Sequence, residues 1–213
     1  MPRDKTLITS LLLLASLIII LVTLTKVTVI EQTEKVPVSD YAKVSLTDQS
    51  NTSDPNTEYL TINIAPPGNS PTVVTGWKIV GGKYNINVGK ASTLPKQGKI
   101  NEEVPIVITK PSVLIISTGH SPIGVSFREN KCTGILGYYQ IYTPPLTPSC
   151  ENCLNKTDYP DYNKCVEEHR NESDFFINAW RVYVGTDIEL WAESFEVIRL
   201  YNQEGALLDS LRH

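Results

Sequence analysis

The residues best suited to chemistry are four cysteines that fall within one third of the chain: Cys132, Cys150, Cys153 and Cys165. An even number of cysteines in so short a stretch is typical of disulfide-bonded proteins in oxidising compartments. Among the possible pairings we favour Cys132–Cys150 with Cys153–Cys165, because these two loops do not cross. The spacing alone does not determine the connectivity.

The same segment has a second interpretation as a metal site. Cys150-x2-Cys153, followed by Cys165-x3-His169, has the ligand types and the spacing of a Cys3His zinc site. A zinc site would leave Cys132 unpaired, and an oxidising compartment favours disulfides over zinc thiolates. We therefore predict disulfides, no metal and no cofactor, and keep a zinc-stabilised interaction module as an alternative.

Nucleophilic catalysis has one candidate in the sequence, the loop that contains His120 and Ser121. His120 would act as the base and Ser121 as the nucleophile of an envelope hydrolase. Adjacent residues rarely align for proton transfer, and the sequence indicates no third group that would orient the histidine. We predict no catalytic residues and a protein that is not an enzyme, with the hydrolase as the alternative.

The segment 138–146, Tyr-Tyr-Gln-Ile-Tyr-Thr-Pro-Pro-Leu, is the best candidate for a binding surface. Aromatic rings beside proline can form a rigid platform for a peptide or a glycan. The simpler interpretation, which we favour, is that these rings cover the edge of the fold or a disulfide. The candidate binding residues are Tyr138, Tyr139, Tyr142, His120 and Arg128.

The first part of the chain predicts a membrane anchor. Residues 7–24 contain no charge, and as a helix they would reach roughly 27 Å, about the thickness of a bilayer core. Arg3 and Lys5 precede this stretch, so the N-terminus, residues 1–6, should be cytoplasmic and the rest outside. Ala15 lies deep in the apolar run, which makes a cleaved signal peptide the less favoured reading. We predict a single-pass cell-membrane protein with an uncleaved anchor over residues 7–25.

Composition limits the partners of the remaining chain. It has 19 basic and 23 acidic residues and a net charge of −4, which argues against nucleic acid and against an anionic membrane surface. About 155 residues remain beyond the anchor and its linker, the usual size of one domain. The expected partner is the membrane through the anchor, and the further candidates are an envelope protein, a glycan and a second copy of the chain.

The region after the anchor divides into a stalk, residues 26–56, and a domain, residues 57–213. Scattered valines in the stalk are too sparse to fill a core. The domain opens with Leu60, Ile62 and Ile64 alternating with polar residues, which predicts a half-buried strand. Further strands are predicted over residues 73–80, 84–88, 104–109, 113–117, 197–201 and 206–211. Short strands at this spacing predict a β-sandwich and a mainly β fold.

Residues 128–194 are predicted to form a helical, disulfide-bonded insertion in this sandwich. Asp161 can cap a short helix that carries Cys165 and His169. Ser173 can cap a second helix, in which apolar residues from Phe176 to Val184 form one face. A loop-rich insertion of this kind needs disulfides because it buries little apolar surface by itself.

Several motifs resemble a known family. Glu58-Tyr59-Leu60-Thr61-Ile62 with Thr75-Gly76-Trp77 is similar to the opening of the lamin-tail domain, an immunoglobulin-like β-sandwich, and the hairpin that begins at Phe195 is similar to its end. The middle resembles a group of bacterial, membrane-anchored lamin-tail-like proteins with a cysteine-bearing insert, through the motifs 121–124, 130–134, 143–146 and 180–183.

This resemblance covers residues 57–213 and departs from the family at 64–68, where the usual domain has an asparagine-rich turn. It implies the fold, the location and a binding or scaffolding role, and it implies no reaction. Together with the residue patterns, it predicts a membrane-anchored extracytoplasmic binding or structural surface module.

Overall fold

The computed structural model of the chain describes residues 43–48, 54–68, 70–81, 84–148, 160–191 and 197–212. All of them belong to one compact unit, residues 39–213. Within the described residues, no helix has the length and apolar character needed to cross a membrane. The predicted cytoplasmic N-terminus and membrane anchor, residues 1–25, lie outside the described part of the chain.

The larger sheet has five strands in the spatial order β1 (Lys43–Asp48), β2 (Tyr59–Ala65), β7 (Ser112–Ser117), β9 (Phe176–Tyr183) and β8 (Phe127–Asn130). Its neighbours are antiparallel except for β7 and β9, which run parallel with Val113 opposite Ala179. The predicted strands at 59–64 and 113–117 are confirmed as β2 and β7.

The second sheet has four strands in the order β11 (Leu207–Arg212), β10 (Val197–Tyr201), β4 (Lys78–Gly81) and β5 (Tyr84–Asn87). A separate short pair joins β3 (Thr72–Val73) to β6 (Val107–Ile108). The predicted terminal hairpin is confirmed.

Two of the predicted strands are shorter than expected. The single strand over 73–80 is instead two strands, because the chain turns at Gly76, which has a φ of 85°. A backbone conformation of this kind favours glycine and ends regular pairing. The strand over 104–109 is reduced to β6, with one isolated bridge between Val104 and Ala91.

The two main sheets face each other across one core. Leu60, Ile62, Leu114, Ile116, Trp180 and Val182 enter it from the larger sheet, and Ile79, Ile198 and Leu200 enter it from the smaller one. The alternation of buried residues along β2 and β10 follows from the period of two in a strand. The chain is therefore mainly β and built in two layers, as the sequence predicted.

A buried carboxylate closes one end of this core. Glu58 accepts hydrogen bonds from the Thr118 hydroxyl at 2.5 Å and from the backbone N–H groups of Leu190 and Trp191 at 2.9 and 2.8 Å. These bonds hold the loop after β9 against the start of β2. Trp191 is thereby kept in the core that also contains Trp77.

The insertion is less helical than predicted. The prediction of a helix after Ser173 is wrong, because residues 176–183 form β9, an interior strand of the larger sheet. Strands β7 and β8 satisfy its backbone groups on both sides. The other predicted helix is confirmed as α1, Tyr162–His169, and the Asp161 carboxylate caps it by accepting a bond from the Lys164 N–H at 3.2 Å.

The disulfide within the insertion joins Cys132 to Cys165, with 5.9 Å between the Cα atoms. The preferred pairing of these two residues is therefore wrong. Cys132 precedes a 3-10 helix, Thr133–Tyr138, and Cys165 lies on the buried side of α1, so both sulfurs enter one core. Cys150 and Cys153 lie outside the described residues. Because Cys165 is bonded to Cys132, it is not free to serve as a ligand in the alternative Cys3His zinc site.

This second core lies on the outer face of the larger sheet. It is formed by Phe127, Cys132, Ile135, Leu136, Tyr142, Tyr162, Cys165, Val166 and Phe175. The predicted insertion therefore contributes two strands, β8 and β9, to the sheet and covers part of that sheet with its remaining residues.

The stalk prediction is wrong for residues 43–48, which form strand β1. They pair with β2 from Lys43 opposite Ala65 to Asp48 opposite Leu60. An edge strand needs a partner on one side only, so few apolar residues are required to hold it. Residues 54–57 form a turn that leads into β2, held by the bond from the Thr57 N–H to the Asp54 carbonyl at 2.9 Å.

Candidate functional site

A groove on the insertion is the most developed candidate site among the described residues. It lies between the 3-10 helix Thr133–Tyr138 and the proline segment 144–148, and has a volume of about 480 Å³. We call it the aromatic–proline groove, and it is lined by Gly134, Gly137, Tyr138, Gln140, Ile141, Tyr142, Pro145, Leu146 and Pro148. None of these side chains carries a charge at neutral pH, and the volume is within the range of ligand pockets.

One wall of the groove is bare backbone. Gly134 and Gly137 are three residues apart on a 3-10 helix, where residues at this spacing eclipse each other. A Cβ atom placed on Gly137 would meet nothing within 4 Å, so the space above it is open. At Gly137 the helix backbone is therefore open to close approach by a ligand.

Among the tyrosines of segment 138–146, both of the roles considered for them, binding surface and packing against the fold, are found. Tyr138 is 63% exposed and lines the groove, and Ile141 beside it is 90% exposed. Tyr142 is buried, packs edge-on against Phe127 with 6.3 Å between ring centroids, and presents one side to the groove. Tyr139 is half exposed beside the groove, with its hydroxyl bonded to the Pro160 carbonyl at 2.8 Å.

Gln140 provides the one amide side chain in the groove. Its Nε2 donates to the Pro122 carbonyl at 2.8 Å, and its Oε1 accepts from the Tyr142 hydroxyl at 3.0 Å. Burial raises the pKa of that hydroxyl far above the value of an ordinary tyrosine, so it stays protonated and keeps donating. These bonds fix the orientation of Gln140 and leave one N–H and one lone pair for a ligand.

The proline wall is fixed by a buried ion pair. Arg181 and Glu129 are each 1% exposed in their side chains, and Arg181 Nε lies 2.6 Å from Glu129 Oε1. The two remaining Arg181 nitrogens donate to the carbonyls of Pro144 and Pro145 at 2.7 and 2.8 Å. Glu129 Oε2 accepts from the Thr147 N–H at 3.2 Å. Five polar groups from three segments are thus joined beneath the groove.

Sequence reasoning missed this ion pair. Glu129 lies in β8, next to Arg128, and Arg181 lies in β9. Charged residues are seldom fully buried unless they are paired, but the burial of these two charges is a property of the fold that the sequence pattern does not show. Glu129 and Arg181 are 52 positions apart, and nothing local links them.

The His120 loop has part of a catalytic geometry. His120 Nε2 lies 3.4 Å from Asp187 Oδ1, with side chains 63% and 88% exposed, so the carboxylate that the sequence did not reveal is present. Ser121 is committed elsewhere, because its hydroxyl donates to the Val125 carbonyl at 2.7 Å. The structure therefore brings His120 to a carboxylate and directs the adjacent hydroxyl into its own turn.

Arg128 takes a packing role. Its guanidinium lies over the rings of Phe176 and Trp180, 4.6 and 5.6 Å from their centroids, and Nε donates to the Ile177 carbonyl at 3.2 Å. Desolvation lowers the pKa of Arg128 from its ordinary value. Neither Arg128 nor His120 lines the aromatic–proline groove.

The surface beside α1 carries a small ionic cluster. Lys131 Nζ lies 2.7 Å from Glu172 Oε2 and 2.6 Å from Asp174 Oδ1, and His169 Nδ1 lies 2.7 Å from Glu172 Oε1. Hydrogen bonds from Lys131 hold the pKa values of both carboxyls below their ordinary range, and the carboxylates raise the pKa of Lys131. In the described part of the chain, no group of three or more histidine, cysteine or acidic residues could hold a metal ion.

A second, larger groove lies on the outer face of the five-stranded sheet. Its volume is about 750 Å³, and its floor includes Val113, Ile177 and Ala179. The described residues that line it include no aromatic ring and no charged side chain. Aromatic side chains supply much of the contact energy in binding sites, so the aromatic–proline groove is the stronger candidate.

Comparison with known proteins identifies no related family. No protein-family model matches the chain, and no curated protein matches its sequence. The lamin-tail resemblance therefore rests on the sequence motifs alone. An uncharged, preformed groove with exposed rings is suited chemically to binding by contact and hydrogen bonding.

Proposed function

We propose that this protein is a membrane-anchored, extracytoplasmic binding module that acts without catalysis through the aromatic–proline groove. In this proposal the two-layered β domain is an immunoglobulin-like sandwich similar to the lamin-tail domain. Residues 7–25 anchor it in the cell membrane, and the domain lies outside the cytoplasm.

One observation carries the proposal: exposed aromatic surface lines a groove whose walls are already fixed. Arg181 holds the proline wall through two carbonyls, and the Cys132–Cys165 disulfide holds the start of the opposite wall. A site ordered before binding loses little conformational freedom when the ligand arrives. Large exposed apolar side chains such as Tyr138 and Ile141 supply the contact area.

The location is supported by two independent features of the chain. The uncharged run at 7–24 has the length of a membrane helix, with positive charge on its N-terminal side. The disulfide lies inside the second core, and structural disulfides of this kind are common outside the cytoplasm and rare within it.

The binding role is tested with a variant that fills the groove and a matched variant that does not. The full chain in detergent is screened against neutral oligosaccharides and neutral peptides, as wild type, Gly137→Gln and Gly89→Gln. An added Cβ meets nothing within 4 Å at either glycine, and Gly89 lies outside the groove.

We expect at least one ligand class to bind the wild type and Gly89→Gln equally and to bind Gly137→Gln at least about tenfold more weakly, a difference of about 1.4 kcal/mol. If no ligand in the screen distinguishes the two variants, the groove is not a binding site and the proposal fails.

A further inference from the structure

We infer that the ligand of the aromatic–proline groove is an uncharged, proline-rich segment of another protein in the polyproline II conformation. This inference rests on the proposed binding function and adds the class of ligand. Polyproline II segments expose backbone carbonyls on all sides and have no internal hydrogen bonds. Aromatic-lined grooves are a recurring way in which proteins bind them.

The hydrogen-bonding groups of the groove complement such a ligand. Among the described residues, nothing bonds the Tyr138 hydroxyl, and Gln140 keeps one N–H free after its bond to Pro122. Both groups can donate to a carbonyl. Proline has no N–H, so a proline-rich segment brings acceptors for these two donors and few donors that would need an acceptor in the groove.

A glycan fits the same groove less well. Six of the nine lining residues have no polar side-chain atom, and the Tyr142 hydroxyl already donates to Gln140. Each sugar hydroxyl is both a donor and an acceptor, and burying one without a partner costs about 1–3 kcal/mol. A ligand with pyrrolidine rings and few donors avoids this cost.

The shape of the groove also suits a proline-rich chain. The 3-10 helix leaves open space at Gly137, and Pro145, Leu146 and Pro148 also line the groove. A polyproline II chain is stiff before it binds, so two preformed partners meet with little loss of chain entropy.

Charge supports the choice of an uncharged segment. Among the described residues, the lining of the groove contains no acid, amine or imidazole, while the whole chain carries a net charge of −4. An acidic ligand would be repelled by the chain, and a basic one would lose hydration without gaining a partner in the groove. The affinity should therefore depend little on salt.

The test uses the full chain in detergent and three blocked probes. The first is an acetylated and amidated oligoproline of about nine residues, about three turns of polyproline II. The second is a glycine–serine peptide of the same length, and the third is a neutral β-linked glucose oligosaccharide. Binding is measured by titration calorimetry for the wild type, Gly137→Gln, Gly89→Gln and Tyr138→Phe.

We expect oligoproline to bind the wild type and Gly89→Gln alike, and to lose at least about tenfold in affinity with Gly137→Gln. Tyr138→Phe removes one neutral hydrogen bond and should lower the affinity roughly two- to tenfold. The glycine–serine peptide should bind at least about tenfold more weakly than oligoproline, because its chain must be ordered. If Gly137→Gln fails to fold, Ile141→Ser changes an exposed lining side chain and replaces it.

The outcomes separate this inference from the proposed function. Groove-dependent binding of the oligosaccharide without binding of oligoproline overturns the inference and leaves the binding role in place. Equal affinity for oligoproline and for the glycine–serine peptide also overturns the inference, because the stiffness of the ligand chain would then make no difference to binding. Failure of every probe to distinguish Gly137→Gln from Gly89→Gln overturns the inference and the proposed function together.

Discussion

Removing one member of the Arg181–Glu129 pair should be far more damaging than removing both. Glu129→Leu leaves the Arg181 guanidinium buried without its carboxylate, and it removes the acceptor of the Thr147 N–H. Breaking a buried pair in this way costs about 3–5 kcal/mol of unfolding free energy. For a domain of this size, each kcal/mol lowers Tm by about 2–4 °C, so the expected decrease is roughly 6–20 °C.

The double variant Glu129→Leu with Arg181→Met separates stability from groove order. Replacing a buried ion pair with apolar side chains of similar volume is often close to neutral, so Tm should recover to within a few degrees of the wild type. The carbonyls of Pro144 and Pro145 nevertheless lose their donors. Ligand affinity at the groove should therefore stay low in the double variant.

The assay is a double-mutant cycle by thermal and urea unfolding, with Lys131→Met as the matched control. Lys131 also pairs with carboxylates, but in a partly exposed cluster, so its removal should change Tm much less than Glu129→Leu does. If the unfolding free energy of Glu129→Leu lies within about 1 kcal/mol of the wild-type value, the reasoning is refuted, because burying an unpaired guanidinium destabilises a protein by more than that.

Three further outcomes follow from the structure. Cys165→Ser removes the disulfide between positions 33 apart and should lower the unfolding free energy by about 3–4 kcal/mol. Non-reducing peptide mapping of the wild type should recover Cys132 bonded to Cys165 rather than to Cys150. Glu58→Ala leaves three buried donors without an acceptor, so it should lower Tm and shift Trp191 fluorescence to the red. An unchanged emission spectrum would contradict the role of the Glu58 hydrogen bonds in holding Trp191 in the core. The carboxyls bonded to Lys131 have lowered pKa values, so their contribution to stability is present above about pH 4 and is lost as pH falls through those values. Lys131→Met should therefore flatten the dependence of Tm on pH in that acidic range. A pH profile identical to that of the wild type would contradict this contribution.

The strands that could be predicted are those with one buried face. Strand β2 alternates Leu60, Ile62 and Ile64 with less buried residues, and the period of two is plain in the sequence. Strand β9 lies between the main core on one face and the insertion on the other, so apolar residues occupy both faces and the alternation disappears. The remaining apolar positions happened to match a helical spacing, and the local pattern favoured the wrong element.

Part of the site could be predicted in the same way. Segment 138–146 was identified from its tyrosines and prolines, and it does border the groove. The support beneath it could not be predicted, because Arg181 and Glu129 meet only through the pairing of β8 with β9. The disulfide was mispaired for the same reason: the register of the fold, rather than the cysteine spacing, brings Cys132 to Cys165.

The parallel pairing of β7 with β9 has a consequence for how binding can be detected. Parallel neighbours require a crossover between them, and the chain that makes this crossover contains the whole aromatic–proline groove. The groove is therefore part of the central connection of the sheet, and it cannot be deleted or transplanted without cutting that connection. A ligand that binds it stabilises the entire folded domain by mass action, by about 2.7 kcal/mol at a concentration 100 times Kd. Thermal-shift screening of unlabelled compounds will for this reason report occupancy of the groove through melting of the main core between the two sheets, none of whose described residues line the groove.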